Sequence, residues 1–364
     1  MIRCNDVQEQ AQDLTEAFFE QWRNVLSAGD FILGEEVTRF ETWLSGRCNG
    51  AHVVSMNSGT DALILAMRAV GVSAGDEVIT CANTFIATVG AIVAVGAYPV
   101  LADVEEDELI SLQTIEPLLS DRTKAVVTVH LRGRPVDMVP ITAACRARDI
   151  AVIEDCAQAI GTLIEGRQVG TFGDAAAFSF HPLKTLGGLG DGGALVTTST
   201  KIAEYARGLR NHGLRSRDEA FSFGLNTRLD ALQAVALNIK TEYLDLWLQR
   251  RRAIATYYDA VLADTATGSD LGRGKAGSAY YHYVVRSQRR NELQQYLAHK
   301  GIQAAVHYPT PIHCQRAWLD SRSAVALPVT ERLAKEILTL PCHPHLSDSD
   351  VEKIAVAIRD FDLK

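Results

Sequence analysis

The sequence predicts an α/β protein: a large domain with a mostly parallel sheet flanked by helices, followed by a smaller C-terminal α/β domain. Three observations lead to this fold. Short β-branched runs alternate with helical stretches between residues 50 and 200, a long helical stretch follows, and a shorter alternation ends the chain. Strands that alternate with helices are typical of βαβ units, which form parallel sheets covered on both faces. The 364 residues suit two domains, which we place at 1–240 and 241–364.

The first alternation accounts for the large domain. The predicted strands are His52–Ser55, Glu77–Thr80, Pro99–Val104, Ala125–His130, Ala151–Asp155, Ala175–Phe180 and Ala194–Thr198. The predicted helices between the earlier strands are Thr60–Val70, Phe85–Val95, Leu112–Leu119 and Asp137–Arg148. Ligands of such sheets bind at the carboxyl ends of the strands, so motifs that directly follow strands are candidates for a site.

The remaining elements belong to the connection between the domains and to the C-terminal domain. Apolar residues in irregular heptads predict one long interdomain helix from Leu229 to about Ala263. The other predictions are a glycine-rich loop at Gly268–Gly277, strands at Tyr280–Val285 and Ala304–Tyr308, and helices at Gln288–Lys300 and at Asp348–Phe361, the last capped by Ser347.

Composition excludes several classes of protein. The net charge is -8 and the pI is near 5.7, and no basic stripe suits a nucleic acid. No apolar run reaches the roughly 18 residues that cross a bilayer, and the polar stretch after Met1 is unlike a secretory signal. Seven scattered cysteines without a C-x-x-C pair favour neither a disulfide framework nor a metal site. We therefore expect a cytoplasmic protein that binds no metal, membrane or nucleic acid.

A first candidate motif lies at the junction of a strand and a helix, in Ser55-Met56-Asn57-Ser58-Gly59-Thr60-Asp61-Ala62-Leu63. Glycine lets the backbone approach a ligand closely, and the first amides of a helix are unpaired and carry partial positive charge. The junction is therefore suited to bind a phosphate. An ordinary helix cap and turn would explain the same residues equally well.

A second candidate is Asp155, which closes a hydrophobic strand in Val152-Ile153-Glu154-Asp155-Cys156-Ala157-Gln158. A carboxylate at this position can form an ion pair with a buried cationic group of a ligand. Taken alone, Asp155 is better explained as a structural residue that caps the following turn.

A third candidate is Lys184, which follows the apolar strand in Ala177-Phe178-Ser179-Phe180-His181-Pro182-Leu183-Lys184 and precedes a glycine-rich loop. Burial lowers the pKa of a lysine, and a neutral amine can attack an aldehyde to form a Schiff base. A single lysine in a loop is more often solvated. Ser179, at the end of the strand, could donate a hydrogen bond to a phosphate oxygen.

Taken together, the three candidates indicate a function that none of them indicates alone. Pyridoxal 5′-phosphate requires a phosphate site, a carboxylate for its ring nitrogen and a lysine for its aldehyde. The chain supplies them in that order at strand ends of one predicted sheet. The sequence therefore indicates a pyridoxal phosphate enzyme.

These residues resemble the sugar aminotransferases of the DegT/DnrJ/EryC1/StrS family, within fold type I, the aspartate aminotransferase-like class. The resemblance extends over nearly the whole chain. Its most specific motifs are Asn57–Leu63, Glu-Asp-x-Ala-Gln at 154–158 and Phe-Ser-Phe-x-x-x-Lys at 178–184. It implies transfer of an amino group from glutamate to a keto sugar, usually a nucleotide-linked 6-deoxysugar with its keto group at carbon 3 or carbon 4. Pyridoxamine 5′-phosphate would be the intermediate cofactor form.

The resemblance also implies a role for each site residue. Lys184 would form the internal aldimine and move protons, and Asp155 would keep the ring nitrogen protonated. Gln158 would contact the ring hydroxyl, and Phe85 would lie against the cofactor face, although periodicity alone would make it a core residue. The phosphate would be held by Gly59, Thr60 and Ser179 and, from a neighbouring subunit, by Asn226, which implies a homodimer with shared active sites.

Substrate contacts are expected where members of the family differ. The family often has an aromatic residue after His130-Leu131, where this chain has Arg132, with Arg134 nearby. Two arginines could bind a diphosphate or a plain sugar phosphate, or could equally face solvent. The other residues that the resemblance assigns to the sugar pocket are His181, His307, Tyr308 and His313.

Other functions make different demands on the sequence. Dehydratases of the same family replace the lysine with histidine or recruit an iron–sulfur cluster through clustered cysteines, and neither feature occurs here. A regulator that only binds the cofactor would be expected to lose part of the constellation. A nicotinamide-dependent sugar enzyme would need a glycine fingerprint on the first βα turn, which residues 57–63 lack. A sugar phosphate without a nucleotide remains an alternative acceptor.

Overall fold

A computed structural model describes residues 1–268 and 276–363. The strands are β1 (His52–Met56), β2 (Glu77–Cys81), β3 (Tyr98–Ala102), β4 (Thr123–Val129), β5 (Ala151–Asp155), β6 (Leu163–Ile164), β7 (Arg167–Gln168), β8 (Ala175–Ser179), β9 (Gly193–Thr197), β10 (Leu214–Ser216), β11 (Glu219–Ala220), β12 (Tyr283–Arg286) and β13 (Ile337–Leu340). The helices are α1 (Val7–Gln12), α2 (Thr15–Ala28), α3 (Glu35–Arg47), α4 (Gly59–Ala69), α5 (Ile86–Ala94), α6 (Leu112–Ile115), α7 (Met138–Arg146), α8 (Thr200–Leu209), α9 (Ala231–Thr241), α10 (Leu244–Val261), α11 (Arg290–His299), α12 (Arg316–Leu319), α13 (Pro328–Glu336) and α14 (Asp348–Asp362).

The described residues form a seven-stranded sheet in the order β1-β9-β8-β5-β4-β2-β3. The strands β3, β2, β4, β5 and β8 pair in parallel, whereas β9 pairs antiparallel with both β8 and β1. The predicted α/β class with a mostly parallel sheet is confirmed, and all seven predicted strands are present. The carboxyl ends of β1, β2, β4, β5 and β8 therefore meet at one edge.

Both faces of the sheet are buried, which explains why its strands are almost continuously apolar. Neighbouring residues of a strand point to opposite faces. Val53 and Phe178 belong to one hydrophobic cluster, and the adjacent residues Val54 and Ala177 belong to another. The helices α3 and α9 cover the first face, and α4 packs on the second. The sheet is consequently held rigidly between two helical layers.

The predicted helices of the large domain are present with small changes at their ends. The third one, α6, is shorter than expected because Pro117 follows it. Proline lacks a backbone N–H and interrupts the α-helical hydrogen bonds, and the chain continues as a 3-10 turn at Glu116–Leu118.

The prediction of one long helix from Leu229 to Ala263 is wrong. The structure has two helices, α9 and α10, which are separated at Glu242 and Tyr243. The backbone N–H groups of these two residues donate to carbonyls three positions earlier, which tightens the last turn. The helix α9 packs on α2 and α3 of the large domain, while α10 packs on α14. The apolar pattern continues through the break because residues on both sides of it, such as Leu237 and Leu244, pack in the same hydrophobic cluster.

The C-terminal domain has less strand than the sequence predicted. The segment Ala304–Tyr308 is not a strand, since Ala305 forms only an isolated bridge with Thr339. The strand predicted at Tyr280–Val285 begins at Tyr283 and pairs with β13. The helices α11 and α14 are present, and the side chain of Ser347 accepts from the Asp350 N–H as the predicted cap. Most of the loop predicted at Gly268–Gly277 lies outside the described residues.

We propose to keep the domain boundary at residues 240–241, just before the break between α9 and α10. The first residues are an exception, because Ile2 bridges to Ile302 and packs in the C-terminal core.

Among the described helices, none combines the length and the apolar character needed to cross a bilayer.

Candidate active site

The junction that is predicted to bind a phosphate lies where β1 passes into α4. The Ser58 side chain caps this helix by accepting from the Asp61 N–H at 3.1 Å. A Cβ added to Gly59 would lie 2.8 Å from the Cβ of Ser179, so only glycine lets the helix start approach the end of β8 this closely. The half-buried side chain of Thr60 and that of Ser179 border the same junction. The predicted phosphate residues are therefore adjacent.

Lys184 follows β8 on the loop that starts at Phe180. Its ammonium nitrogen Nζ lies 5.0 Å from the centre of the buried Tyr281 ring. Burial lowers the pKa of Lys184 to about 8, although the negative charge of Asp155 partly opposes the change. A larger fraction of this amine is consequently neutral near pH 7 than for an ordinary lysine.

Asp155 lies at the carboxyl end of β5 and is 5% exposed. Its Oδ2 accepts from the Thr88 hydroxyl at 2.8 Å, and its Oδ1 accepts from the Ala157 N–H at 3.0 Å. Burial raises the pKa of Asp155, and these two hydrogen bonds partly offset the effect. No basic side chain in the described ranges forms an ion pair with this carboxylate. A buried carboxylate of this kind fits a ligand that brings its own N–H⁺ group.

Gln158 connects the large domain to the C-terminal domain. Its side-chain oxygen accepts from the Arg132 backbone N–H at 2.7 Å, and its Nε2 donates to the Tyr308 hydroxyl at 3.2 Å. The Tyr308 ring lies 5.9 Å from that of Phe85. Phe85 is 54% exposed, so the alternative that it is a core residue is wrong. The predicted cofactor residues Gln158 and Phe85 thus both border Tyr308.

Arg132 and Arg134 do not occupy the positions that the sequence suggested. Each is 1% exposed, so the alternative that they face solvent is wrong. The Nε and Nη2 atoms of Arg132 both donate to the Glu108 carboxylate at 2.6 Å, and Nη2 also contacts the His307 carbonyl. Arg134 lies 3.5 Å from the same carboxylate. We therefore correct the expectation that Arg132 binds the substrate, because its bidentate face is directed at Glu108.

The remaining sugar-pocket candidates are distributed over a wider region. The His307 ring stacks on that of the buried His282 at 4.3 Å, and its Nδ1 lies 3.0 Å from the Thr339 hydroxyl. Burial lowers the pKa of His307 to about 4, which leaves it neutral at pH 7. His181 is exposed, three residues before Lys184.

His313 is buried away from this stack. Its Nε2 lies 3.1 Å from the Glu331 carboxylate of α13, and it belongs to a short 3-10 turn that ends at Cys314. Arg132 contacts both His307 and Gln158, and Gln158 contacts Tyr308, so these residues lie together. His313 instead has its partner, Glu331, within the C-terminal domain.

Asn226 is exposed on the loop before α9. The hydroxyl of the next residue, Thr227, is 2.7 Å from the side-chain oxygen of Asn57 and 2.6 Å from a carboxylate oxygen of Asp61. The loop is thereby attached to the first turn of α4, next to the phosphate-binding junction. This arrangement leaves Asn226 free to contact a neighbouring molecule.

One group of potential metal ligands lies in the described part of the chain: His130, Glu154 and Cys156. The Val136 N–H donates to Nδ1 of His130, so Nε2 carries the proton and donates to Glu154. The Glu154 carboxylate also accepts three backbone N–H groups, from residues 170, 172 and 173. Because these hydrogen bonds already use the ligand atoms of His130 and Glu154, the pair acts as a structural support beside Asp155.

Three residues at the site were not predicted from the sequence: Thr88, Glu108 and Tyr281. Thr88 lies four residues after Thr84, and the two hydroxyls are 2.8 Å apart, but nothing near them in the chain identifies Asp155 as a partner. Nothing local marks Glu108, whose partner Arg132 is 24 residues away. Tyr281 stands in a run of aromatic residues that also fits a hydrophobic core.

The fold is shared with a solved structure. The protein DesV from S. venezuelae, solved in complex with a ketimine intermediate, has a TM-score of 0.96 with this chain. The two are 36% identical, and the match covers 100% of this chain and 99% of that one. The fold and the lysine–carboxylate site define an α/β enzyme of the aminotransferase class.

The chain belongs to the DegT/DnrJ/EryC1/StrS aminotransferase family, whose model matches residues 12–359. It is 41% identical over 342 residues to dTDP-3-amino-3,6-dideoxy-alpha-D-galactopyranose transaminase of Aneurinibacillus thermoaerophilus, with 93% of both chains covered. It is 40% identical over 340 residues to UDP-N-acetyl-3-dehydro-alpha-D-glucosamine 3-aminotransferase of Acidithiobacillus ferrooxidans, which covers 92% of this chain and 91% of that one. The resemblance found in the sequence is confirmed.

Proposed function

We propose that this aminotransferase moves an amino group from glutamate to the carbonyl of a nucleotide-linked keto sugar and holds pyridoxal phosphate on Lys184. One observation carries the proposal. A lysine with a pKa of about 8 and a buried carboxylate that lacks a cationic partner among the described residues lie at the same sheet edge as a glycine-lined helix start. These are the three groups that the cofactor requires.

The residues present fit the cofactor in charge and in space. The first backbone N–H groups of α4 lack intrahelical partners because they begin a helix, and they would be available for a phosphate beside Ser179. Asp155 would bind the protonated ring nitrogen, which supplies the cation that this carboxylate lacks. Gln158 Nε2 would donate to the ring hydroxyl, and the exposed Phe85 ring would cover one face. When bound, the cofactor supplies an aldehyde for the amine and an electron-withdrawing ring for the reacting carbon.

Lys184 has two tasks in this proposal. Its neutral amine would hold the cofactor, and the free amine would accept the proton from the α-carbon of the donor amino acid. A pKa of about 8 suits both tasks, because the amine can gain and lose a proton near neutral pH. The hydrogen bonds from Thr88 and Ala157 favour the ionised form of Asp155 and partly offset the effect of burial on its pKa.

The names of the relatives support a sugar that is aminated at carbon 3. Both of the relatives described above are named for a 3-amino or 3-dehydro sugar, one linked to dTDP and the other to UDP. We infer a 3-keto sugar carried by one of these nucleotides. A sugar phosphate without a nucleotide is less well supported, since the two arginines that suggested it are buried.

We further propose that the enzyme is a homodimer. Asn226 is exposed on a loop that Thr227 attaches to α4, so a second copy could receive its amide at the phosphate.

Cytoplasmic localisation is supported by the cysteines. All seven are free and six are buried, which suits a reducing compartment.

The proposal is tested by the absorption spectrum of the purified protein with pyridoxal phosphate, before and after glutamate. We expect the band of the lysine-bound cofactor to appear and glutamate to replace it with that of the amino form. Candidate dTDP- and UDP-linked 3-keto sugars should then restore the first band. If the first band appears but glutamate does not change it, the amino donor is another compound or the enzyme is a lyase. If the first band never appears, the assignment of Lys184 is refuted.

A further inference from the structure

Arg132 joins segments that are far apart in the sequence. Its guanidinium binds Glu108 through two hydrogen bonds of 2.6 Å and contacts the His307 carbonyl. Asn83 donates to the same Glu108 carboxylate at 3.0 Å. Burial alone would raise the pKa of Glu108, but the neighbouring arginines outweigh it and keep the carboxylate ionised. The buried ion pair of Arg132 and Glu108 therefore connects the loop after β3 to the C-terminal domain.

The backbone of Arg132 determines which end of the Gln158 amide faces the pocket. Its N–H donates to the Gln158 side-chain oxygen, so Nε2 must point the other way, towards the Tyr308 hydroxyl. The residue has a φ of 63°, in the left-handed region that non-glycine residues seldom adopt. The side-chain contacts with Glu108 and His307 offset the cost of this conformation.

We propose that Glu108 and Arg132 form an interdomain clamp that seats His307 and Tyr308 of the C-terminal domain against Gln158 and so positions the sugar acceptor. The inference rests on the proposed function, because it treats Tyr308 as part of the sugar pocket. Arg132 acts through these neighbours and is a positioning residue. Its side chain holds the His307 carbonyl, while its backbone orients the amide that contacts Tyr308.

The clamp distinguishes this chain from relatives with an aromatic residue after His-Leu. An aromatic side chain cannot form a bidentate ion pair with Glu108, because it lacks the charged fork of N–H donors that a guanidinium carries. In this chain the position of His307 therefore depends on a charged pair instead of ring packing. Because the pair is buried, removal of one partner leaves the other charge uncompensated.

Two variants and a matched control test the clamp. Arg132→Lys keeps the charge but loses the fork, and Glu108→Gln keeps the shape but loses the charge. Arg289→Lys is the control, because Arg289 also binds a glutamate, Glu292, at 3.0 and 2.9 Å, but does so at the start of α11, within the C-terminal domain. Melting temperature and circular dichroism show whether a variant has lost its fold. Glu108→Gln is a milder change than Arg132→Lys.

The first readout uses the protein without cofactor. Hydrogen exchange should accelerate about tenfold or more in Arg132→Lys and Glu108→Gln at the amides of Ala305 and Ile312, which bond to Thr339 and Ala82. Exchange in β4 and β5 should not change, and the control should match the wild type at all of these sites. Equal acceleration throughout the sheet would show a general structural role and would overturn the clamp.

The second readout separates the two half-reactions. In both variants the KM for the keto sugar should rise about tenfold, as expected for a lost charged hydrogen bond, while the rate with glutamate stays within about threefold. An unchanged KM for the sugar, or equal losses in both half-reactions, would overturn the proposal. If wild-type protein fails to react with glutamate, the proposed function is wrong, whereas hydrogen exchange still reports on the clamp.

Discussion

Replacement of Thr88 by valine tests whether Asp155 depends on a helix residue that the chemistry itself does not require. Thr88 is 2% exposed, and its hydroxyl donates to Asp155 Oδ2 at 2.8 Å. A hydrogen bond to a charged group contributes about 1.5–3 kcal/mol, so its loss should slow the reaction by about 10–100-fold if it acts fully in the transition state. Valine has nearly the same shape, so the packing of α5 should be retained.

The direction of the pH dependence follows from the same hydrogen bond. Burial already raises the pKa of Asp155, and loss of the Thr88 donor should raise it further. Asp155 must be ionised to bind a protonated ring nitrogen, so Thr88→Val should lose more activity as the pH falls. Stopped-flow measurement of the spectral change with glutamate, at several pH values, gives this profile.

Thr84→Val is the control for this experiment. Thr84 is also buried and lies 2.8 Å from the Thr88 hydroxyl, but it has no hydrogen bond to Asp155. We expect this variant to react within about threefold of the wild type, because the donor to the carboxylate is kept. Equal losses in the two variants, or an unchanged rate in Thr88→Val, would refute the reasoning.

Four further predictions concern the cofactor site. Lys184→Ala should abolish turnover without changing the fold, and repeated turnover without added amine would contradict the assignment. Capture of pyridoxal phosphate should slow about tenfold for each pH unit below about 8, because only the neutral form of Lys184 attacks; a rate that keeps rising to pH 10 would disprove the lowered pKa. Gly59→Ala should weaken cofactor affinity in equilibrium dialysis, because the new Cβ would lie 2.8 Å from the Cβ of Ser179. Gly90→Ala in α5 is the control, since its new Cβ meets no atom within 4 Å, and this variant should bind the cofactor normally. Asn226→Ala should release cofactor faster only in the dimer, and normal retention would remove this residue from the phosphate site.

The sequence was sufficient for the α/β class and for the seven strands of the main sheet. Burial of both faces requires nearly continuous apolar strands, and that pattern is visible in any short window of the chain. The order of the phosphate-binding turn, Asp155 and Lys184 along the chain also indicated the cofactor, because each follows a strand of the same sheet. Parallel strands bring their carboxyl ends together whatever the loops between them do.

The predictions that differ from the structure differ for one physical reason. The helix predicted from Leu229 to Ala263 and the strand predicted at Ala304–Tyr308 both show the right local pattern, but tertiary packing divided the first and left the second with a single bridge. Local propensity is a small energy that contacts between domains override. Arg132 is a similar case, since nothing near it in the chain identifies Glu108 as its partner.

The sequence by itself determined the class of fold, the strand ends and the residue types at the cofactor site. Only the tertiary structure decided their electrostatic state: the lowered pKa of Lys184, the buried carboxylate of Asp155 and the engagement of Arg132 with Glu108. Elements follow from the periodicity of neighbouring residues, which is local information. Burial and ion pairing depend instead on groups that are distant in the chain, such as Thr88 and Asp155, 67 residues apart.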